Sequence, residues 1–315
     1  MPSRPSDGGL LLSVQRDIAS MKTRGAGEIG KQAALALANA AEQFTGTSVA
    51  TFREEMTAAA KLLAHARPTA VSLRNGLNYV LDAAMTARTI DEAKRMSKTR
   101  ANDFADRVTK AKATIAKEVS RLLARNSAVL THCHSTAAIG GLAEATRQGK
   151  KLRVFSTETR PFRQGLLTSR ALQEAGVDVT LIVDSAALHI LESEKVDAMV
   201  IGADAVGADG SLYNKIGTRL ITLAAKTVKV PVYVCAESYK FSPYSLTGEK
   251  VVIEERAPAE IVDPAEVPGV KIKNPVFDRT PPDQVTAYIT ELGTIKPGDV
   301  KGFIERIYGG TKQWI

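Results

Sequence analysis

Cysteine is scarce in this chain of 315 residues, which has only Cys133 and Cys235. Two thiols exclude a disulfide framework and a four-cysteine zinc site. Aromatic residues are equally thin, at 5%, with a single Trp. No run approaches the ~20 apolar residues that span a bilayer, and the stretch 10–14 is too short for a signal-peptide core. A cytoplasmic protein with no membrane partner is therefore expected. A G-x-G-x-x-G turn is also missing: Gly202, Gly207 and Gly210 follow a strand pattern without that spacing, which argues against a bound dinucleotide. No cofactor is expected.

Charge is plentiful. The chain has 42 Lys+Arg against 34 Asp+Glu, a formal net charge of +8. The whole excess lies in residues 1–125, which carry 20 basic and 12 acidic side chains. A basic domain invites a nucleic-acid partner. Only Phe44, Phe52, Tyr79 and Phe104 stand among these cations to stack on bases, so no nucleic acid is expected.

The pattern changes with the charge. Residues 10–124 are rich in Ala, Leu, Lys and Glu, with apolar residues at helical spacing, such as Met56, Ala60, Leu63 and Ala64. Breaks at Gly25, Gly46, Pro68 and Gly76 divide them into several helices. The reading is a helical N-terminal domain over 1–125, with 1–9 as a mobile terminus. After Asn126, β-branched runs at 128–131, 152–156, 177–183, 198–201 and 230–234 alternate with helical stretches at 136–148, 162–175, 185–191 and 215–227. This α/β grammar predicts a Rossmann-like, doubly wound, mostly parallel sheet domain over 126–315. Residues 257–275 read as an extended connection or cover, and 283–292 as a further helix.

Ligands of such sheets bind beyond the carboxyl ends of the strands, where this chain is unusually polar. His132-Cys133-His134-Ser135, then 157–165, Asp184-Ser185, Gly202-Ala203-Asp204, Tyr213-Asn214-Lys215 and 237–240 all fall there. Cys133 reads either as a small core residue or as a reactive thiol, its pKa lowered by cations and by a helix starting near Ser135. Cys235 lies in an apolar run and reads as core. Adjacent strand residues face opposite ways, so His132, Cys133 and His134 do not make a metal site; one histidine orients the site instead. His65 and His189 read as ordinary helical residues. Asp204 is a turn residue or a general acid. Arg160 and Arg163 flank Pro161 in a stiffened loop suited to phosphate. Arg24-Gly25-Ala26-Gly27 reads as a phosphate-approach loop before a helix, or as a helix-breaking linker.

Joined to the segments 66–71 (with Arg67) and Asn274-Pro275-Val276-Phe277-Asp278, and taken in order, these motifs resemble the initiation factor 2B alpha/beta/delta superfamily over nearly the whole chain. Regulatory subunits of that superfamily generally lack the Cys and Asp pair kept here as Cys133 and Asp204. Methylthioribose-1-phosphate isomerases typically follow the cysteine with Asn-Ala-Gly, whereas His134-Ser135 is similar to archaeal ribose-1,5-bisphosphate isomerases. The resemblance implies conversion of ribose 1,5-bisphosphate to ribulose 1,5-bisphosphate in AMP degradation. Asp204 would be the acid and the Cys133 thiolate the base, through a phospho-enediol. It implies one phosphate held by Arg24, Gly25, Ala26 and Arg67, and the other by Arg160, Arg163 and Lys240. Ser135, Asn214 and Lys215 complete the site. It also implies a homo-hexamer built as a trimer of dimers, and AMP as an activator. Methylthioribose-1-phosphate isomerase and a non-catalytic initiation factor subunit are the alternatives.

Overall fold

A computed structural model describes residues 8–20, 22–309 and 312–315. The helical periodicity of the first part becomes α1 (Gly8–Ala19), α2 (Ala26–Gln43), α3 (Val49–His65), α4 (Val71–Thr86) and α5 (Ile90–Leu122). Of the terminus expected to be mobile, residues 1–7 lie outside the described residues, while Gly8 and Gly9 open α1. Ile29, Ala33 and Leu37 of α2 and Leu73, Leu77 and Leu81 of α4 are fully buried, one turn apart along each helix. Ser48 caps α3 by accepting the Thr51 N–H.

The strand–helix alternation follows as β1 (Asn126–Thr131), α6 (Thr136–Arg147), β2 (Lys151–Thr157), α7 (Gln164–Glu174), β3 (Asp178–Ile182), α8 (Ala187–Ser193) and β4 (Ala198–Gly202). Then come β5 (Ala205–Val206), β6 (Leu212–Lys215), α9 (Thr218–Thr227), β7 (Val232–Cys235), β8 (Phe277–Thr280), β9 (Ala287–Thr290), β10 (Gly293–Ile295) and α10 (Val300–Tyr308). Seven strands form one sheet in the order β10-β9-β7-β4-β1-β2-β3, parallel throughout except for the β10–β9 pair. The fold is α/β and mostly parallel, as the alternation predicts. Among the described residues no helix is long and apolar enough to cross a membrane.

Two expectations change. Residues 283–292 are not a helix: a 3-10 turn at Pro282–Gln284 leads into β9, which pairs with β7. Tyr288 and Ile289 are both fully buried, and a strand covered on both faces loses the alternation that would distinguish it from a helix. Lys215 likewise ends a strand instead of starting a helix. Its strand, β6, lies between β5 and β8 in a small antiparallel sheet that the sequence pattern does not announce.

The chain divides into two compact units, Met1–Lys110 with Tyr308–Ile315, and Ala111–Ile307. This differs from the expected division at 125/126, because the end of α5 packs on the sheet. Ile115, Val119 and Leu123 join Val129, Leu142, Val154 and Val200 in one core. Lys150 donates to the carbonyls of Ser120 and Leu123, at 2.5 Å each, satisfying acceptors at the helix end. The C-terminal residues belong to the first unit. Asn78 Oδ1 accepts the N–H groups of Trp314 (2.7 Å) and Ile315 (3.2 Å), and Trp314 Nε1 donates to Asp82 Oδ1 at 3.1 Å. Arg74, Asn78 and Asp82, one turn apart on α4, hold this segment, and Arg74 Nε reaches the Ile315 carbonyl at 2.7 Å.

Candidate active site

The strand order of the large sheet reverses between β1 and β4: the chain builds outward to β2 and β3, then returns to the other side of β1. Beyond the carboxyl ends of the strands, such a reversal opens a crevice. Cys133 follows β1 and Asp204 follows β4, so the two flank it. Ser135, expected to touch substrate, caps α6 by accepting the Ala138 N–H at 3.3 Å. A Cβ on Gly202 would lie 2.5 Å from Ser135 Oγ, so the two strand ends approach this closely only over glycine.

Cys133 keeps some surface exposure, but its surroundings are packed. Burial pushes its thiol up to about 11; Lys215 and the His134 N–H pull it down, while Asp204 and Asp184 push it further up. This corrects the expected lowering. The cation is there, but desolvation outweighs it. The charges of Lys215, Asp204 and Asp184 thus all act on the sulfur. Lys215 is 6% exposed, its Nζ 5.1 Å from the centre of the Phe277 ring.

His132 is buried and bridges two loops. Its Nε2 is 3.1 Å from the Ile216 carbonyl and its Nδ1 2.6 Å from Thr157 Oγ1. A carbonyl only accepts, so Nε2 carries the proton and Nδ1 accepts from the hydroxyl. Burial lowers the ring's pKa. This histidine thus ties the end of β1 to the turn after Lys215. Asn214 donates to Thr218 Oγ1 at 3.0 Å. Asp278, opposite Asn214 in the β6–β8 register, accepts the N–H groups of Gly217 (2.8 Å) and Arg219 (3.1 Å) at the start of α9. Burial pushes its carboxyl up to about 6 against those donors.

The phosphate-clamp candidates are arranged unevenly. Arg160 and Arg163 are exposed on the loop after β2. Arg160 Nη2 donates to the Ile261 carbonyl at 2.9 Å, and Arg163 Nε pairs with Glu158 at 3.2 Å. Residues 257–275 are irregular and contribute Ile261 to that loop, as a covering segment would. Lys240 is 8% exposed and held against Glu237 at 2.6 Å. Burial pushes Glu237 up, but Lys240 outweighs it and the net shift is downward. In the first unit, Gly25 has φ 84° and precedes α2. Ser72 Oγ donates to the Ala26 carbonyl at 2.6 Å, joining the starts of α2 and α4. Arg67 lies half-buried between α3 and α4.

Thr159 and Asp184 stand among the polar strand-end residues, but the sequence assigns no role to them or to Thr168. Asp184 accepts backbone N–H groups of the arginine loop, and the two threonines bond the Cys133 peptide. Asp184 stands directly after β3, the same positional signal that picks out Cys133 and Asp204. The loop is also anchored by Gly165, where a Cβ would lie 1.7 Å from the Thr157 carbonyl oxygen. Gly165→Ala should therefore destabilise the protein by about 3 kcal/mol, at the upper end of overpacking costs, as read from urea unfolding. A change below about 0.5 kcal/mol would show that the loop is not so held.

Among the described residues, no three His, Cys, Asp or Glu side chains gather as metal ligands. A family model described as "Initiation factor 2 subunit family" matches residues 22–297. The ribose 1,5-bisphosphate isomerase of Archaeoglobus fulgidus is 44% identical over 289 residues, covering 91% of this chain and 90% of its own. That of Methanocaldococcus jannaschii is 40% identical, covering 98% and 99%. The crystal structure of a translation initiation factor eIF-2B from Pyrococcus horikoshii superposes with a TM-score of 0.79 at 27% identity, covering 92% of this chain and 98% of that one.

Proposed function

Since the chain belongs to the initiation factor 2 subunit family, we propose that it is a sugar-phosphate aldose–ketose isomerase converting ribose 1,5-bisphosphate to ribulose 1,5-bisphosphate. The observation that carries this reading is the placement of Cys133 after β1 and Asp204 after β4, on the two sides of the sheet's reversal. A phosphate on the anomeric oxygen keeps the sugar from opening to a free aldehyde. An acid must protonate the ring oxygen as its bond to C1 breaks, while a base takes the C2 proton and those electrons form the C1–C2 double bond. The resulting phospho-enediol becomes the ketone when C1 is protonated and the C2 hydroxyl loses its proton. Asp204 serves as the acid and Cys133 as the base. Lys215 and Asn214 stabilise the charge that develops on oxygen. Arg160, Arg163 and Lys240 hold one phosphate.

The raised thiol favours a second assignment of the same pair. A thiol that ionises near 11 is protonated at neutral pH, so Cys133 would give the proton and the Asp204 carboxylate would take it. The two assignments have opposite pH dependence.

Purified protein supplied with ribose 1,5-bisphosphate should form ribulose 1,5-bisphosphate, read by mass spectrometry of the product. No product would refute the substrate assignment, and turnover of methylthioribose 1-phosphate instead would select that alternative. Inertness toward both would favour the non-catalytic reading. The proposal extends to a homo-hexamer, checked by light scattering, and to activation by AMP in the same assay, within AMP degradation.

A further inference from the structure

Cys133 has φ 67°, a conformation that non-glycine residues rarely adopt without external support. Side chains hold its peptide at both ends. Thr159 Oγ1 accepts the Cys133 N–H at 2.9 Å, and Thr168 Oγ1 donates to the Cys133 carbonyl at 2.8 Å. The Thr168 oxygen also lies 3.0 Å from His134 Nδ1, so one hydroxyl donates to the carbonyl and accepts from the ring. Thr159 is itself in the left-handed region, at φ 62°, and fully buried. Its own N–H donates to Asp184 Oδ1 at 2.7 Å, and the next N–H, of Arg160, donates to Asp184 Oδ2 at 2.7 Å. One carboxylate thus straddles two successive peptides of the loop after β2. These bonds run from the end of β3 through the end of β2 to the end of β1.

We propose that Asp184 and Thr159 are positioning residues that hold Cys133 in its left-handed conformation, so that the thiol faces Asp204 and Lys215 at the reversal of the sheet. The proposal rests on the reading of Cys133 as a proton-transfer residue. Asp184 acts at two points. Through Thr159 it fixes the backbone of Cys133, and through the Arg160 N–H it fixes the loop that carries the exposed guanidinium groups. Thr159 acts at the first point only. The split is therefore testable. Loss of the Thr159 hydroxyl should lower kcat and leave KM nearly unchanged, while loss of the Asp184 carboxylate should alter both.

Thr159→Val removes the acceptor at nearly constant shape, and Thr159→Ser keeps it. The expected result is a kcat about 100-fold lower for Thr159→Val, the effect of misplacing a reacting group by about 1 Å. KM should stay within about threefold, and Thr159→Ser should recover at least a tenth of the wild-type kcat. A kcat for Thr159→Val close to wild type, or equal impairment in Thr159→Ser, would overturn the proposal. Alkylation of the folded protein by iodoacetamide across pH reads the same contacts without turnover, with Cys133→Ser as the background for Cys235. Asp184→Asn removes a negative charge that opposes the thiolate, so the midpoint should move to lower pH and the rate below it should rise at least ~3-fold. An unmoved or higher midpoint counts against Asp184 and keeps the test decisive if Thr159→Val does not fold. Retained turnover in Cys133→Ser would instead refute the catalytic reading, while the alkylation result would still decide whether Asp184 faces the thiol.

Discussion

Replacing Cys133 by Ser should lower kcat by about 10³-fold, within the ~10²–10⁴ that a positioned acid or base contributes. Thermal stability and particle mass by light scattering should be unchanged. Serine is nearly isosteric and keeps the backbone N–H and C=O that bond Thr159 and Thr168, so the local frame survives. What is lost is a group able to exchange a proton. Turnover within about tenfold of wild type would remove Cys133 from the reaction. The wild-type pH profile then assigns its role. As a base, the thiolate is the active form: kcat/KM rises with pH and is lost as pH falls below the thiol's value of about 11. As an acid, the thiol is the active form: kcat/KM holds below that value and is lost as pH rises through it. Measuring kcat/KM between neutral pH and the onset of alkaline unfolding distinguishes the two slopes.

The alternation of β-branched runs and helical stretches was enough to predict the parallel sheet, and the positions directly after its strands single out Cys133 and Asp204 as candidates. Local patterning works there because each buried strand is short, apolar and bounded by turn residues. It fails at β9, where Tyr288 and Ile289 are buried on both faces, and at β6, whose partners β5 and β8 are separated from one another by the covering segment. It also fails at the sulfur. The sequence places a cation and a helix start near Cys133 but cannot weigh them against desolvation, which depends on how tightly the site packs. Ser135 is a cap, and Lys240 is engaged by Glu237. Neither bond is announced by the sequence pattern around it. The grip of α4 on Trp314 and Ile315 is a contact between distant parts of the chain, with no periodic signal at either end.

Lys215→Met should lower kcat/KM by about 10²–10³-fold, the usual cost of removing one preorganised donor from a developing oxyanion. It should also move the alkylation midpoint of Cys133 to higher pH. Both follow from one placement. Lys215 is 6% exposed, so its charge acts on its neighbours more strongly than it would in water. It is the cation that pulls the Cys133 thiol down against burial, Asp204 and Asp184. Removing it leaves only opposing influences among the side chains around the sulfur. Methionine retains the apolar stem that packs by Phe277, so the fold should persist. The sign of the midpoint shift is opposite to that expected for Asp184→Asn, which makes the two variants mutual controls. A packing defect would move both midpoints the same way, through access to the sulfur, whereas charge moves them apart. Activity within about threefold of wild type, or a midpoint that does not rise, would show that Lys215 is not the counter-charge of this site.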